Sequence, residues 1–367
     1  MKILFLNYEF PPLGGGASPV SYEIAKGYVK LGHNVDVITM AFQDNPLFEI
    51  LNGINIYRIP CLRSKKEICH PWEQWSFLHK AKKFLKYHLK NNKYDVNHTH
   101  FIIPTGELAL WIKKNFNLPY IITSHGSDVL QYNKRFTLLY FFLKRPWNQI
   151  ISNAELVTTP SEYLKAKILN INKAIQIHTI PNGIDVNKFK KAKKDKKILI
   201  VSRLFYNKGI QDILKAIKNI DLRGWIVDIV GDGPYKNNLM SLCVEYKLNS
   251  SVIFHGWLDN NSKKLLSLYS KAAIFLSASH LESFGLTVLE AISAGCYPLI
   301  SDIESHRDIV QKEKYLFKTN DPIDLKYKLE PLLKNKPKSP RISLKNYTWS
   351  NISKNFERIL KDIINIK

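Results

Sequence analysis

The chain has 367 residues, 45% hydrophobic and 23% charged, a globular composition with room for two ordinary domains. Lys and Arg number 54 against 31 Asp and Glu, an excess that points to a polyanionic partner: nucleic acid, an anionic lipid surface or a phosphorylated substrate. The four cysteines, Cys61, Cys69, Cys243 and Cys296, lack CxxC spacing, which argues against a zinc site or disulfide framework and suits a reducing cytosol.

The opening MKILFLNYEFPP loses its apolar run at Leu6, too short for a signal peptide and suited to a first β-strand. No stretch approaches the ~20 apolar residues that span a bilayer, so the protein is expected in the cytoplasm, soluble or peripheral on the membrane's cytoplasmic face. Short aliphatic and β-branched runs then recur between helical patterns. In the first half they are Ile3–Leu6, Val35–Thr39, Ile54–Arg58, Val96–His100, Tyr120–Thr123, Leu156–Thr159 and Gln176–Ile180. In the second they are Ile198–Val201, Ile226–Val230, Val252–Phe254, Ala273–Leu276 and Pro298–Ser301. Strands alternating with helices predict parallel sheets covered on both faces, and two such series predict two doubly wound, Rossmann-like α/β domains.

Composition marks the boundaries. After Pro181-Asn182-Gly183-Ile184-Asp185 comes KFKKAKKDKK, residues 188–197, which reads as a solvated linker. The expected domains are 1–187 and 188–345. A final amphipathic helix within 346–367 is expected to pack back toward the first domain.

In doubly wound sheets, ligands bind beyond the carboxyl ends of the strands. The Gly, His, Arg and Glu clusters fall there in both halves. Gly14-Gly15-Gly16 follows the first strand, and His98 and His100 end another. His125-Gly126-Ser127-Asp128 follows the Tyr120 strand. Ser202-Arg203, Lys208-Gly209, Gly231-Asp232-Gly233-Pro234 and His280 to Gly285 follow strands of the second half. Two sheets with these edges facing each other would line one cleft.

Taken in order, the Gly-rich loop, HGSD, PNGID, SRL…KG, GDGP and ESFGLTVLE resemble the family 4 glycosyltransferases of the GT-B fold, over essentially the whole chain. The resemblance implies a retaining glycosyltransferase that uses a nucleotide-diphosphate sugar, needs no metal ion and has no cofactor. The acceptor would be a glycan or a lipid-linked acceptor. It implies a donor site drawn from Gly15, Gly16, Arg203, Lys208, Gly231, Glu282, Phe284, Gly285, Leu286 and Glu290. His125, Arg203, Lys208 and Glu282 would be its catalytic members.

The residue chemistry fits those roles. Arg203 and Lys208, five apart across a strand-to-helix loop, suit a clamp on departing pyrophosphate. A helix starting near Ser283 or Gly285 would aim free N–H groups at phosphate oxygens. Glu290, five to seven residues into it, lies about 8–10 Å along the axis, the reach of a ribose. Glu282, before the helix, reaches hydroxyls of the donor sugar. Phe284 suits core or nucleotide-shelf packing. Gly14-Gly15-Gly16 lets backbone approach the donor closely. His125 stands where the family places a histidine beside the donor sugar, to stabilise developing positive charge or accept the acceptor's proton. Asp128 suits capping or ordering of its loop.

His98 and His100 share one strand face; no third metal ligand presents itself, and they are expected to shape the acceptor side of the cleft. Three departures from the family pattern stand out. Ala17-Ser18-Pro19 replaces the commoner Gly-Gly-Ala-Glu continuation, the proline of GCYPLISD is displaced by one residue, and Glu304-Ser305-His306 stands where two glycines are common.

Residues 72–90 form one apolar helical stripe, Phe77, Leu78, Ala81, Phe84, Leu85, His88 and Leu89, with Lys80, Lys82, Lys83, Lys86 and Lys90 mostly on the other surface. The lysine face is either simply solvated or a docking face for an anionic membrane, with Trp72 or Trp75 at the interface. Phe136–Leu143 is a second candidate for membrane contact. Rival functions are a GT-B-fold sugar-nucleotide epimerase and a nucleotide-sugar-binding protein without turnover. No RNP, zinc-finger or helix-turn-helix pattern supports a nucleic-acid partner.

Overall fold

The computed structural model describes residues 1–66, 68–130, 137–190 and 192–365, with backbone alone for 137–141. The chain forms two compact units, Met1–Gly183 with the chain from Trp349, and Ile184–Thr348.

The first unit runs β1 (Lys2–Leu6), α1 (Ala17–Lys30), β2 (Asn34–Met40), β3 (Phe48–Leu51), β4 (Ile54–Ile59) and α2 (Pro71–Asn91). It continues with β5 (Val96–His100), α3 (Thr105–Phe116), β6 (Tyr120–Thr123), α4 (Thr137–Ser152), β7 (Leu156–Thr159), α5 (Glu162–Leu169) and β8 (Ile177–Thr179). The sheet order is β3-β4-β2-β1-β5-β6-β7-β8, parallel except at β3–β4. The central strands are buried on both faces, as uninterrupted aliphatic runs require.

The second unit runs β9 (Asp195–Val201), α6 (Ile210–Ile217), β10 (Ile226–Val230), α7 (Lys236–Glu245), β11 (Val252–Phe254), α8 (Lys263–Lys271) and β12 (Ala272–Ser277). Then come α9 (Leu286–Ser293), β13 (Tyr297–Ser301), α10 (Glu304–Arg307), β14 (Leu316–Phe317) and α11 (Pro322–Lys334). Its sheet is parallel, in the order β11-β10-β9-β12-β13-β14.

The last helix, α12 (Trp349–Asn365), packs on α1 of the first unit. Gly27 permits the approach, because a Cβ there would lie 1.8 Å from Ser353 Oγ. Phe356 of α12 lies 5.0 Å from the His98 ring, and His33 bonds Glu357 at 2.9 Å.

Three features differ from the sequence reading. Strand β3 is an added antiparallel edge, joined to β4 by Asn52-Gly53, both in the left-handed region at φ 52° and 79°. That two-residue turn matches the twist of the flanking strands, and the Asn-Gly pair was its signal. Second, β14 is too short to register as a run. Third, the basic stretch 188–197 is no free linker. Phe189 is buried, and Lys194 Nζ donates to the carbonyls of Tyr269, Ser270 and Ala294 at 3.2, 2.9 and 2.6 Å. A cation against the last carbonyls of α8 and α9 satisfies orphan acceptors and complements both helix dipoles.

Helix α2 buries Phe77, Ala81, Leu85 and Leu89 and is started by a His70–Glu73 capping box with Pro71 in the first turn. Trp72 and Trp75 remain 60% and 69% exposed, and Lys80, Lys83, Lys86 and Lys90 face solvent, whereas Lys82 pairs with Glu107 at 3.1 Å. In the Phe136–Leu143 segment, Phe136 and the side chains of 137–141 lie outside the described residues, and Phe142 is exposed. Among the described residues, no helix is long and apolar enough to cross a membrane.

Candidate functional site

In the second unit the strand order reverses between β9 and β12, which opens a crevice at their carboxyl ends. The loop after β9 carries Arg203 and Lys208; the loop after β12 carries Glu282. Gly209, at φ 65°, lets the two loops touch, since a Cβ there would lie 1.9 Å from the Ala278 carbonyl oxygen. The His280 amide donates to the Asn207 carbonyl at 2.9 Å, and His280 Nε2 meets Asp212 at 2.7 Å, locking the loops in register.

This framework brings Lys208 and Glu282 together at 2.5 Å, with Ser279 Oγ also donating to Glu282 at 3.0 Å. Burial pushes the Glu282 carboxyl up, but the Lys208 charge and hydrogen bond, helped by His306 and Ser279, outweigh it and hold the pKa below the usual carboxylate range. Arg203, on the same loop, stays exposed. Its guanidinium lies 5.3 Å over the Phe205 ring and pairs with no carboxylate among the described residues. The structure thus holds one cation in an ion pair and leaves the other free.

Helix α9 begins directly after Gly285, which sits at φ 105°. The Val288 amide donates to the Gly285 carbonyl at 3.0 Å, whereas the amides of Leu286 and Thr287 have no backbone acceptor among the described residues and form an anion-seeking end beside Glu282. Leu286, its first residue, is partly exposed. Glu290, five residues past Gly285, is already engaged: Lys188 Nζ lies 3.3 Å from Oε1, and the Tyr269 hydroxyl donates to Oε2 at 3.0 Å. Sequence reasoning missed both partners, Lys188 because it lay in the supposed linker and Tyr269 because nothing local marks it.

Of the two packing roles expected for Phe284, the structure shows the core one. Phe284 is 4% exposed and packs in the core beside Tyr347, so its ring is no nucleotide shelf. The tight fit of Gly231 is to protein: at φ 136°, a Cβ there would lie 1.8 Å from the Ser202 carbonyl oxygen. The neighbouring departure from the family pattern, His306, is buried beside Gly285. Its Nδ1 bonds the Ser301 carbonyl at 2.8 Å, its Nε2 has no partner among the described residues, and burial lowers its pKa.

In the first unit the reversal falls between β1 and β5. Gly16 caps α1, and a Cβ on Gly15 or Gly16 would meet nothing within 4 Å, which leaves open space before both. Gly14 is the glycine the backbone demands, at φ 89° with Glu9 Cβ 2.7 Å from a would-be Cβ. The HGSD loop is organised by Asp128. One carboxylate oxygen accepts from Ser124 Oγ and the amides of His125 and Gly126, all at 3.0 Å, and the other accepts from the Ile102 amide at 2.8 Å.

His98 and His100 correct another expectation: both are fully buried and line no open surface. His100 instead lies under His125, with Nδ1 2.8 Å from His125 Nε2 and the two rings stacked at 5.1 Å. Burial drives all three histidines neutral, lowering His98 and His125 to about 3 and His100 well below its usual value. Phe101, which packs on His125 at 4.8 Å, holds φ 70°, an uncommon backbone state at the mouth of this cluster.

A family model described as Glycosyltransferase Family 4 matches residues 14–188, and one described as Glycosyl transferases group 1 matches residues 183–349. The chain belongs to the family 4 glycosyltransferases. It is 29% identical to an uncharacterized glycosyltransferase of Methanocaldococcus jannaschii over 341 residues, 85% of this chain and 83% of that one. It is 27% identical to the alpha-monoglucosyldiacylglycerol synthase of Streptococcus pneumoniae over 315 residues, 80% of this chain and 69% of that one. Sucrose-phosphate synthase of Thermosynechococcus elongatus superposes over the full length of both chains at TM-score 0.85 and 20% identity. Anabaena HepE in complex with UDP and glucose superposes at TM-score 0.77 and 17% identity, covering 99% of this chain and 100% of that one. The glycosyltransferase therefore has the GT-B fold, and it transfers sugar.

Proposed function

We propose that this enzyme is a retaining, metal-independent glycosyltransferase that moves a hexose from a UDP- or GDP-sugar to a hydroxyl of a glycan or lipid-linked acceptor in cell-surface polysaccharide or glycoconjugate assembly. The observation that carries the reading is the Lys208–Glu282 pair beside the α9 N-terminus, at the strand-order reversal of the second unit. Arg203 and Lys208 neutralise the diphosphate as it leaves, and the first-turn amides of α9 hold phosphate oxygens. Glu282 orients the donor sugar. Glu290 takes the ribose hydroxyls, which exchange for its contact with Lys188. His125 lies against the donor sugar, with Gly15 and Gly16 leaving room for it. A UDP donor is favoured by the UDP and glucose in the HepE structure.

The acceptor reading leans on the relative named for diacylglycerol glucosylation. Peripheral docking on the cytoplasmic face of a membrane would use the lysines of α2 that face solvent, with Trp72 and Trp75 in the interface. The test is to incubate the purified enzyme with a panel of UDP- and GDP-hexoses and lipid or glycan acceptors, then read the anomeric configuration of the product by NMR. A product that keeps the donor's configuration, formed in excess chelator, is expected. Inversion, chelator sensitivity, or release of an altered sugar nucleotide without acceptor would overturn the reading.

A further inference from the structure

We infer that His100 holds His125 as its Nδ1–H tautomer, so that the open ring nitrogen of His125 is a hydrogen-bond donor and not a base. The inference deepens the donor-sugar reading of His125 and rests on it only for the consequence in turnover.

A buried series of rings and hydroxyls beneath His125 leaves little freedom for its protons. Thr158 Oγ1 donates to the Ile122 carbonyl at 3.3 Å, so it accepts from Thr123 Oγ1 at 2.7 Å. Thr123 in turn accepts from His98 Nε2 at 2.7 Å, and His98 Nδ1 accepts from the Tyr28 hydroxyl at 2.9 Å. His98 is thereby fixed as a neutral, Nε2-protonated ring.

His100 has only one place to spend a proton. Its Nδ1 lies 2.8 Å from His125 Nε2, while its own Nε2 is buried without a partner among the described residues. Phe5 and His98 lie over the ring at 4.5 and 4.6 Å, tilted by 32° and 33°, so an in-plane Nε2–H would point at neither face. A proton on Nε2 would be a buried donor with no acceptor, and such orphans are rarer than unpaired acceptors. A proton on Nδ1 makes the bond to His125.

His125 Nε2 is then the acceptor, and a neutral His125 carries its proton on Nδ1. That atom has no protein partner among the described residues, and the residue is partly exposed. The ionisable groups packed around it are His98 and His100 from β5 and Asp128 from its own loop, whose carboxylate is taken up by backbone amides. Burial keeps the ring neutral far below its usual range. His125 therefore offers N–H to an oxygen of the bound sugar or phosphate and takes no proton from the acceptor hydroxyl. His100 is its positioning residue.

The test is a long-range 1H–15N correlation spectrum of the histidine rings in the full chain without substrate, which separates protonated from bare ring nitrogens. His125→Asn serves only to assign the signal. A protonated Nδ1 and bare Nε2, unchanged from pH 5.5 to 8.5, are expected; a bare Nδ1, or protonation near the ordinary value of about 6.5, overturns the inference. In His100→Phe the His125 ring should become a tautomer mixture. In His100→Asn, whose amide N–H can replace Nδ1–H, the tautomer should persist. Turnover should fall about tenfold in the Phe variant and recover in the Asn variant, with no new pH limb in either, since burial still keeps the His125 ring neutral. An unchanged tautomer in folded His100→Phe removes the role of His100. The spectrum needs no donor, so failure to find transfer would sink the functional reading and leave this one standing or falling by itself.

Discussion

At the carboxyl ends of its strands the first unit gathers His98, His100 and His125, rings kept neutral by burial, whereas the second gathers Lys208 with Glu282 and Lys188 with Glu290 as ion pairs. The two sheets share a parallel doubly wound plan, so the contrast comes from what each loop is built to hold. Charge in the second unit is already present and partly desolvated before any ligand arrives. Each lysine is held out of water by its paired carboxylate, where a bare cation would carry a large desolvation cost. The rings of the first unit offer directional hydrogen bonds and no net charge.

The largest effects should come from the charged side. Arg203→Ala and Lys208→Ala are each expected to cut turnover by roughly 10²–10³. Lys208→Ala alone should also destabilise the fold, because it leaves the Glu282 carboxylate unpaired, whereas exposed Arg203 can be removed with little change in melting temperature. Near-normal turnover in either folded variant would remove that residue from the clamp, and equal destabilisation by both would erase the distinction between paired and free cation.

Acid should separate the units next. For His98, His100 and His125 the folded pKa is depressed, so below about 6.5 the unfolded chain binds protons that the folded one does not. Stability is full above that value and is lost progressively as pH drops below it, because each ring stays neutral in the fold while its unfolded counterpart takes up a proton. The second unit has one such histidine in its site, His306. The depressed Glu282 contributes stability that is present above its unfolded value near 4.5 and is lost only as pH falls through the folded one. Hydrogen exchange at pH 5 should therefore show the first unit opening more readily than it does at pH 7, with a smaller change in the second. Equal sensitivity would mean that the buried rings are not neutral.

The smallest effect concerns the outer face of α2. Lys80, Lys83 and Lys86 face solvent, and each is worth about 1 kcal/mol near an anionic surface. Their joint replacement by Gln should release the enzyme from anionic vesicles, as should high salt, while activity on a short soluble acceptor survives. Adding Lys82→Gln should change little, because that charge is spent on Glu107. Equal sedimentation with neutral and anionic vesicles would leave the helix as a plain cover for its sheet.

Much of this was legible in the sequence. Twelve aliphatic runs named twelve strands, because parallel sheets buried on both faces demand unbroken apolar stretches. The motif loops fell at the strand ends for the same reason. Sheet order is a different kind of information. That Lys208 meets Glu282, 74 residues on, and that His100 meets His125, 25 residues on, depends on which strands become neighbours, and no local pattern encodes that. The basic stretch misled for a related reason: its lysines look solvated in sequence, yet Lys194 ends on helix carbonyls contributed by two other elements.

The claim that the second unit holds the donor by its two glutamates in two different ways is tested most directly by isothermal titration of the free nucleoside diphosphate. Glu290→Gln should weaken its binding by about tenfold, roughly 1.4 kcal/mol, since the ribose contact is lost. Glu282→Gln should bind it within about twofold of the parent, because it meets only the sugar, which the free diphosphate lacks. Equal losses in the two folded variants, or a larger loss in Glu282→Gln, would contradict the assignment.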